Sequence, residues 1–285
     1  MNYKILNDIN LSGEIPTTLC SKWRSTSIMA RLVKGSETDK WLPKHWRKTT
    51  FPILREPASG PEDIVGSAFL IHYHEIIYVV SAKHVIDKDS LVVMMPTKEK
   101  KMLPIPLAAL EEAGAKWIPH PAGLDLAAIP FPDALLKRLD VRIIGEDHWV
   151  TQTKIMKNSE VVHLGFPEQT HAYYEDGTPA PIPIGMRGRI IGFQGLSIQM
   201  KTAGAPGASG GPVFLKREGA SPLLIGVATN IKLIGKPTRP SEGKPLHETS
   251  TLPISLIKDI LESKEMVEQC KRLGFSPTRD STNFN

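Results

Sequence analysis

Gly204-Ala205-Pro206-Gly207-Ala208-Ser209-Gly210-Gly211-Pro212 is the stretch on which the reading of this chain turns. One hydroxyl stands among small residues that let a backbone turn tightly and come close to another group. An acyl-transfer serine needs such a setting, with its hydroxyl exposed and backbone N–H groups beside it to hold the oxyanion of a tetrahedral intermediate. A flexible glycine loop has the same composition, so the motif has to find partners elsewhere.

Two upstream segments offer them. Val79-Val80-Ser81-Ala82-Lys83-His84-Val85-Ile86 sets a histidine directly after an apolar strand run, where it can stand at the strand's end and face a cleft. A neutral imidazole there could accept the serine proton and later protonate a leaving amine. Taken alone, a structural histidine at a helix start is the simpler reading. Gly123-Leu124-Asp125-Leu126-Ala127-Ala128-Ile129 places a carboxylate inside an apolar strand run. Burial there is costly without a partner, and an imidazole N–H is a suitable one. Taken alone, Asp125 reads as a turn or edge-strand carboxylate.

The order His, Asp, Ser, with separations of 41 and then 84 positions, outweighs the separate readings. Here the sequence resembles the chymotrypsin-like, trypsin-fold serine peptidases. Ser81-Ala82-Lys83-His84 matches their Ser/Thr-Ala-x-His motif, and Asp125-Leu126-Ala127 their Asp-Leu-Ala strand motif. Gly207 to Pro212 matches Gly-Asp/Asn-Ser-Gly-Gly-Pro except at Ala208. The resemblance runs from Gly66 to Ile231, about 60% of the chain.

What it implies is a serine endopeptidase working through an acyl-enzyme. Ser209 would be the nucleophile, His84 the general base and acid, and Asp125 the orienting carboxylate. The backbone N–H groups of Gly207 and Ser209 would form the oxyanion hole. Leu224 to Asn230 fits the strand that pairs with substrate, which makes Thr229 and Asn230 substrate-binding candidates, and Thr229 is also a candidate hydroxyl support for the triad carboxylate. Ala203, six positions before the serine, and Gly204 would line the primary specificity pocket. Neither carries charge, so cleavage is expected after small or apolar residues.

Ala208 departs from the digestive members, whose aspartate at that position pairs with a new N-terminus after zymogen cleavage. The chain therefore looks closer to the bacterial intracellular and high-temperature-requirement type. Control is expected to come from a partner or ligand that orders the site.

The resemblance also implies an all-β fold of two antiparallel six-stranded barrels with the site between them, His84 and Asp125 from the first and Ser209 from the second. Independently of it, short apolar runs recur, bounded by the scattered 24 prolines and 22 glycines, and this pattern points to a sandwich or barrel. Strand signals begin near Ile64, with a hairpin through Gly66–Ile71 and Ile76–Val80. Ala108 to Ala113 reads as one or two helical turns. From Pro253 the apolar spacing becomes helical and stops at Gly274. The resulting division is an N-terminal extension over 1–50 with Trp23, Trp41 and Trp46, a protease domain over 51–252, and a C-terminal helix and polar tail over 253–285.

A net charge of +5 is not gathered into a long stripe, so nucleic acid is not expected as a partner, and protein or peptide is the expected substrate. Only Cys20 and Cys270 occur, which fits a reducing compartment. With no apolar signal segment and no apolar run long enough to span a bilayer, a cytoplasmic location and no membrane partner are expected. No metal or other cofactor is expected. His72 and His74 share strand parity but have no third ligand, and read as a polar hairpin tip. Val162-His163-Leu164-Gly165-Phe166-Pro167 reads as structural, Tyr173 and Tyr174 as packing residues, Asp176–Pro181 as a surface loop, and Glu111-Glu112 as solvated charge. The rival readings are a catalytically silent trypsin-fold binding module and a protease associated with nucleic acid.

Overall fold

The computed structural model describes residues 42–56, 64–99, 101–150, 155–167, 172–173, 179–180, 182–202, 207–217, 219–234 and 246–275. The chain is β-rich, as its short apolar runs imply. A first sheet is built from β1 (Thr50–Arg55), β2 (Ile64–Tyr73), β3 (Ile76–Ser81), β4 (Leu91–Pro96), β5 (Met102–Pro106), β6 (Ile118–Pro119) and β7 (Ala127–Pro130). Its seven strands run in the order β5-β4-β1-β2-β3-β7-β6. After a small pair, β9 (Ala172–Tyr173) with β10 (Pro179–Ala180), a closed six-stranded barrel follows. It joins β8 (Glu160–Gly165) to β11 (Ile184–Gln194), β12 (Ser197–Thr202), β13 (Pro212–Leu215), β14 (Leu223–Ile234) and β15 (Leu246–Pro253).

The expected pair of closed barrels is therefore seen as one barrel and one open sheet. The open edges explain the difference. β5 carries Pro104 and Pro106, and β6 is two residues long and ends in Pro119. Proline has no N–H to offer a further strand, so both edges are blunted. The sheet still covers a core of its own, to which the helices Leu107–Glu112 and Asp133–Leu136 contribute Leu107, Leu110 and Leu135.

Period-two alternation assigns the two faces of this sheet. Ala68, Leu70, Ile77, Val79 and Ile129 fill the sheet's own core. Phe69, Ile71, Tyr78, Val80 and Ala128 face a second core shared with Val162, Leu164, Phe214 and Leu252 of the barrel. The barrel interior is filled by Val161, Ile190, Ile198, Met200, Val213 and Ile225. The two halves are thus fused along a continuous apolar seam.

Strand β1 begins earlier than the sequence reading placed any strand, and Trp46 just before it is buried in the seam. The Trp46 ring meets Phe214 edge-on at 5.2 Å, and the Arg142 guanidinium lies 4.1 Å over it. The expected C-terminal helix is two helices, Ser255–Leu261 and Lys264–Arg272. The break falls at Ser263, whose hydroxyl accepts from the Met266 N–H at 3.2 Å and starts the second helix as its N-cap. Both helices cover the seam with Ile257, Ile260, Met266 and Cys270. Cys270 is a free buried thiol, and Cys20 lies outside the described residues. Among the described residues no helix is long and apolar enough to cross a membrane.

Candidate active site

The first two candidates meet because β3 and β7 are neighbours. Ser81 pairs with Ala127 in an antiparallel register. Going forward from Ser81 and backward from Ala127 leaves the sheet at the same end, so His84 and Asp125 emerge side by side. His84 sits in the first turn of the short helix Lys83–Ile86. Asp125 precedes β7, which starts at Ala127. This corrects its expected place inside a strand, and at 37% side-chain exposure it is not buried.

The carboxylate holds the histidine twice. Its Oδ2 lies 2.7 Å from the His84 Nδ1, and its Oδ1 accepts the His84 backbone N–H at 2.9 Å. The second bond caps an N–H at the helix start that has no partner within the helix. With the Nδ1 proton donated to Asp125, the lone pair of the neutral ring stands at Nε2. The His84 side chain is 48% exposed.

Behind Asp125, His120 organises the loop. Its N–H donates to the Leu126 carbonyl, its own carbonyl accepts from Gly123 N–H, and its Nδ1 accepts from Ala122 N–H at 3.1 Å.

Ser209 lies in the turn that enters β13. Gly207 and Gly210 both adopt φ of +86°, a conformation that side chains disfavour, which is why the motif needs glycine at these positions. A Cβ on Gly210 would overlap Ser67 O and Ser81 Oγ and come within 3.1 Å of Ala82 N. The serine turn therefore rests directly on the β3 end that leads into His84.

The carbonyls of this turn are anchored inward. Gly207 O accepts from Ser67 Oγ at 3.1 Å, and Ser209 O from Ser67 N–H at 2.7 Å. Ala208 O accepts from Gly211 N–H at 3.2 Å and from the His163 ring at 2.9 Å. Ser67 is thereby a central peg, since its Oγ also accepts from Phe166 N–H at 3.0 Å. Among the described residues the Gly207 and Ser209 N–H groups have no partner, as oxyanion donors require.

Ser209 Oγ donates to the Thr229 carbonyl at 3.3 Å, and no hydrogen bond joins it to His84. Thr229 thus contributes its backbone oxygen, while its hydroxyl donates to Ser250 O at 3.3 Å. This corrects the expectation that the Thr229 hydroxyl supports Asp125. Asn230 is exposed next to a register shift in the pairing of β14 with β15. Ala203 and Gly204 lie outside the described residues, as do Tyr174 and most of the loop over 176–181. Among the described residues no cluster of three metal-ligating side chains occurs.

Sequence reasoning missed His163, which it read as structural strand. Its burial is complete, and desolvation pushes its pKa down from the usual 6.5 to about 4, against the raising effect of the Ala208 carbonyl. The sign follows from linkage. Above pH 6.5 the ring is neutral in both states and stability is at its plateau. As pH falls toward 4, the unfolded chain takes up a proton that the folded chain refuses, and stability is lost. A shift of this size corresponds to about 3 kcal/mol. Urea midpoints are expected to fall between pH 7 and 4.5, and His163→Gln to flatten part of that slope.

No known family model matches the chain, and no curated protein matches it. One solved structure is described by the words "Aromatic interactions drive the coupled folding and binding of the intrinsically disordered Sesbania mosaic virus VPg protein". It is similar over 72% of this chain and 85% of its own, with 13% identity and a TM-score of 0.45. A likeness at that level says nothing of activity.

Proposed function

We propose that this chain is a serine endopeptidase of the chymotrypsin-like kind. The observation that carries the reading is the doubly held His84–Asp125 pair, set beside a serine turn whose Gly207 and Ser209 N–H groups have no partner among the described residues. The open seven-stranded sheet would be the counterpart of the family's first barrel, and the closed barrel that of the second.

The reaction follows from the groups in place. Ser209 Oγ releases the Thr229 carbonyl and attacks the peptide carbon, while its proton passes to His84 Nε2. Asp125 stabilises the imidazolium that forms, and the two N–H groups hold the oxyanion. The C–N bond then breaks as His84 protonates the leaving amine. Water, deprotonated by the same imidazole, cleaves the acyl-enzyme ester and restores the serine. Hydrogen bonds between such a serine and histidine are often long in a free enzyme and tighten only when substrate binds.

The test is a fluorophosphonate probe applied to the full chain, with the labelled peptide mapped by mass spectrometry. Labelling at Ser209 is expected. A chain that stays unlabelled, or labels elsewhere with equal rate, contradicts the proposal. Cleavage-site profiling on a peptide library is expected to show a broad preference for small or apolar residues before the scissile bond. A hydrophobic pocket discriminates by only about 1–3 kcal/mol per methylene. A sharp requirement for Arg or Lys would show that an acidic side chain reaches the pocket.

A further inference from the structure

We infer that His163 is a positioning residue for the oxyanion hole, acting from inside the barrel through the peptide that joins Ala208 to Ser209. The inference rests on the peptidase reading and adds to it a residue outside the triad. His163 lies on β8 and shares a strand face with Val161, whose side chain packs in the barrel interior. The ring is fully buried, and its Nε2 stands 2.9 Å from the Ala208 carbonyl oxygen. A carbonyl oxygen can only accept, so Nε2 carries the proton and Nδ1 is bare. That Nδ1 is buried and has no partner among the described residues.

A buried polar ring with an orphan acceptor costs stability that a leucine at this position would not. Its presence calls for an account, and the peptide geometry supplies one. In a planar trans peptide the carbonyl and the N–H point in opposite directions. Holding Ala208 O inward therefore aims the Ser209 N–H outward, toward the place where an oxyanion forms. The other donor to Ala208 O, Gly211 N–H, is longer at 3.2 Å and belongs to the same turn, so it moves with the loop. His163 is the donor that ties the peptide to the rigid barrel wall. The packing is built around this contact. Ala208 is buried, a Cβ on Gly165 would stand 2.7 Å from the Ala208 Cβ, and one on Gly211 would stand 3.0 Å from His163 Nε2. A buried histidine thus steadies the turn at a position where Ala208 has no ionic group to do so.

The experiment compares wild type, His163→Leu and His163→Gln. His163→Leu removes the donor while filling the site, and His163→Gln can return a donor to Ala208 O. For a folded His163→Leu chain the expected result is a fall of about 10²-fold in kcat with little change in KM, the size typical of losing one oxyanion donor. Affinity for a short peptide ending in an alanine boronate, which mimics the tetrahedral intermediate, falls by a similar factor. His163→Gln recovers most of both. A merely structural role would lower stability without separating kcat from KM, and unchanged kcat and boronate affinity in the folded leucine variant overturn the inference.

If His163→Leu fails to fold, the ring ¹⁵N shifts of the wild type decide. A proton on Nε2 with a bare Nδ1 is expected, and the opposite tautomer overturns the assignment. Ser209→Ala, run alongside, separates the two readings. An active wild type that loses activity with Ser209→Ala, but not with His163→Leu, leaves the peptidase standing and removes only this inference. A wild type with neither turnover nor labelling removes both.

Discussion

Ser209→Ala is expected to lower peptide hydrolysis by roughly 10⁵- to 10⁶-fold, the scale seen when the nucleophile of a triad is removed. The fold should not change, because the lost hydroxyl makes one 3.3 Å bond to the Thr229 carbonyl, in a partly exposed site. Asp125→Asn is expected to cost roughly 10³- to 10⁴-fold by a different route. The carboxylate of Asp125 accepts from two donors at once, the His84 backbone N–H on Oδ1 and the ring on Oδ2. An amide has one oxygen for these two donors. If the oxygen keeps the backbone N–H, the amide NH₂ faces Nδ1 and forces the proton to Nε2, where the base is needed. If it keeps the ring, the helix start loses its cap. Steady-state kinetics and thermal melts on both variants check these outcomes. Turnover within tenfold of wild type for either, with the protein folded, would remove that residue from the mechanism.

Gly210→Ala is expected to be strongly destabilising. The backbone at Gly210 has φ of +86°, which costs a residue with a Cβ about 1–3 kcal/mol. The added methyl would also overlap the Ser67 carbonyl oxygen and the Ser81 hydroxyl, both fixed on the first sheet. Ser67 N–H donates to Ser209 O and Gly210 N–H donates to Ala228 O, so the turn cannot retreat without breaking bonds to both halves. Overpacking adds about 1–3 kcal/mol. Together, about 2–6 kcal/mol, these costs reach the lower end of the stability of an ordinary domain, about 5–15 kcal/mol. A large drop in melting temperature or insoluble expression is the expected result. A fully stable Gly210→Ala protein would mean that the turn is looser than its contacts indicate. Gly123→Ala is a useful comparison. Its φ is +72°, but a Cβ there meets nothing within 4 Å, so it should show the backbone strain without the clash.

The motifs around His84, Asp125 and Ser209 were legible because glycine, proline and short apolar runs mark turns and strand ends locally. The apolar alternation of β2 and β3 was legible for the same reason. β1 was not, because Thr50–Arg55 contains Pro52 and follows the basic Arg47-Lys48, so its pattern does not stand out. Its strand state comes from pairing with β2 and β4 rather than from propensity. The division of the C-terminal helix was also hidden, since the apolar spacing runs on through the break that Ser263 caps.

His163 marks the sharper limit. In sequence it is one histidine within an apolar strand, and nothing local separates a packing role from a positioning one. What distinguishes it is that β8 pairs with β13 in a register that sets His163 opposite Val213, so the ring reaches the carbonyl of Ala208 just upstream. That partner lies 45 positions away in the chain. Likewise, Ser67 became the peg of the serine turn only through contacts with Gly207 and Ser209, the nearer of them 140 positions on. The sequence by itself determined the β-rich class, the turn chemistry at Gly207 and Gly210, and the three residue types able to carry acyl transfer, because each depends on backbone freedom or side-chain chemistry within a few residues. The tertiary structure alone decided that Asp125 grips both the ring and the backbone of His84, that the first sheet stays open, and that His163 and Ser67 anchor the turn. These depend on strand register and edge pairing, which bring distant residues within hydrogen-bond reach and leave no local trace.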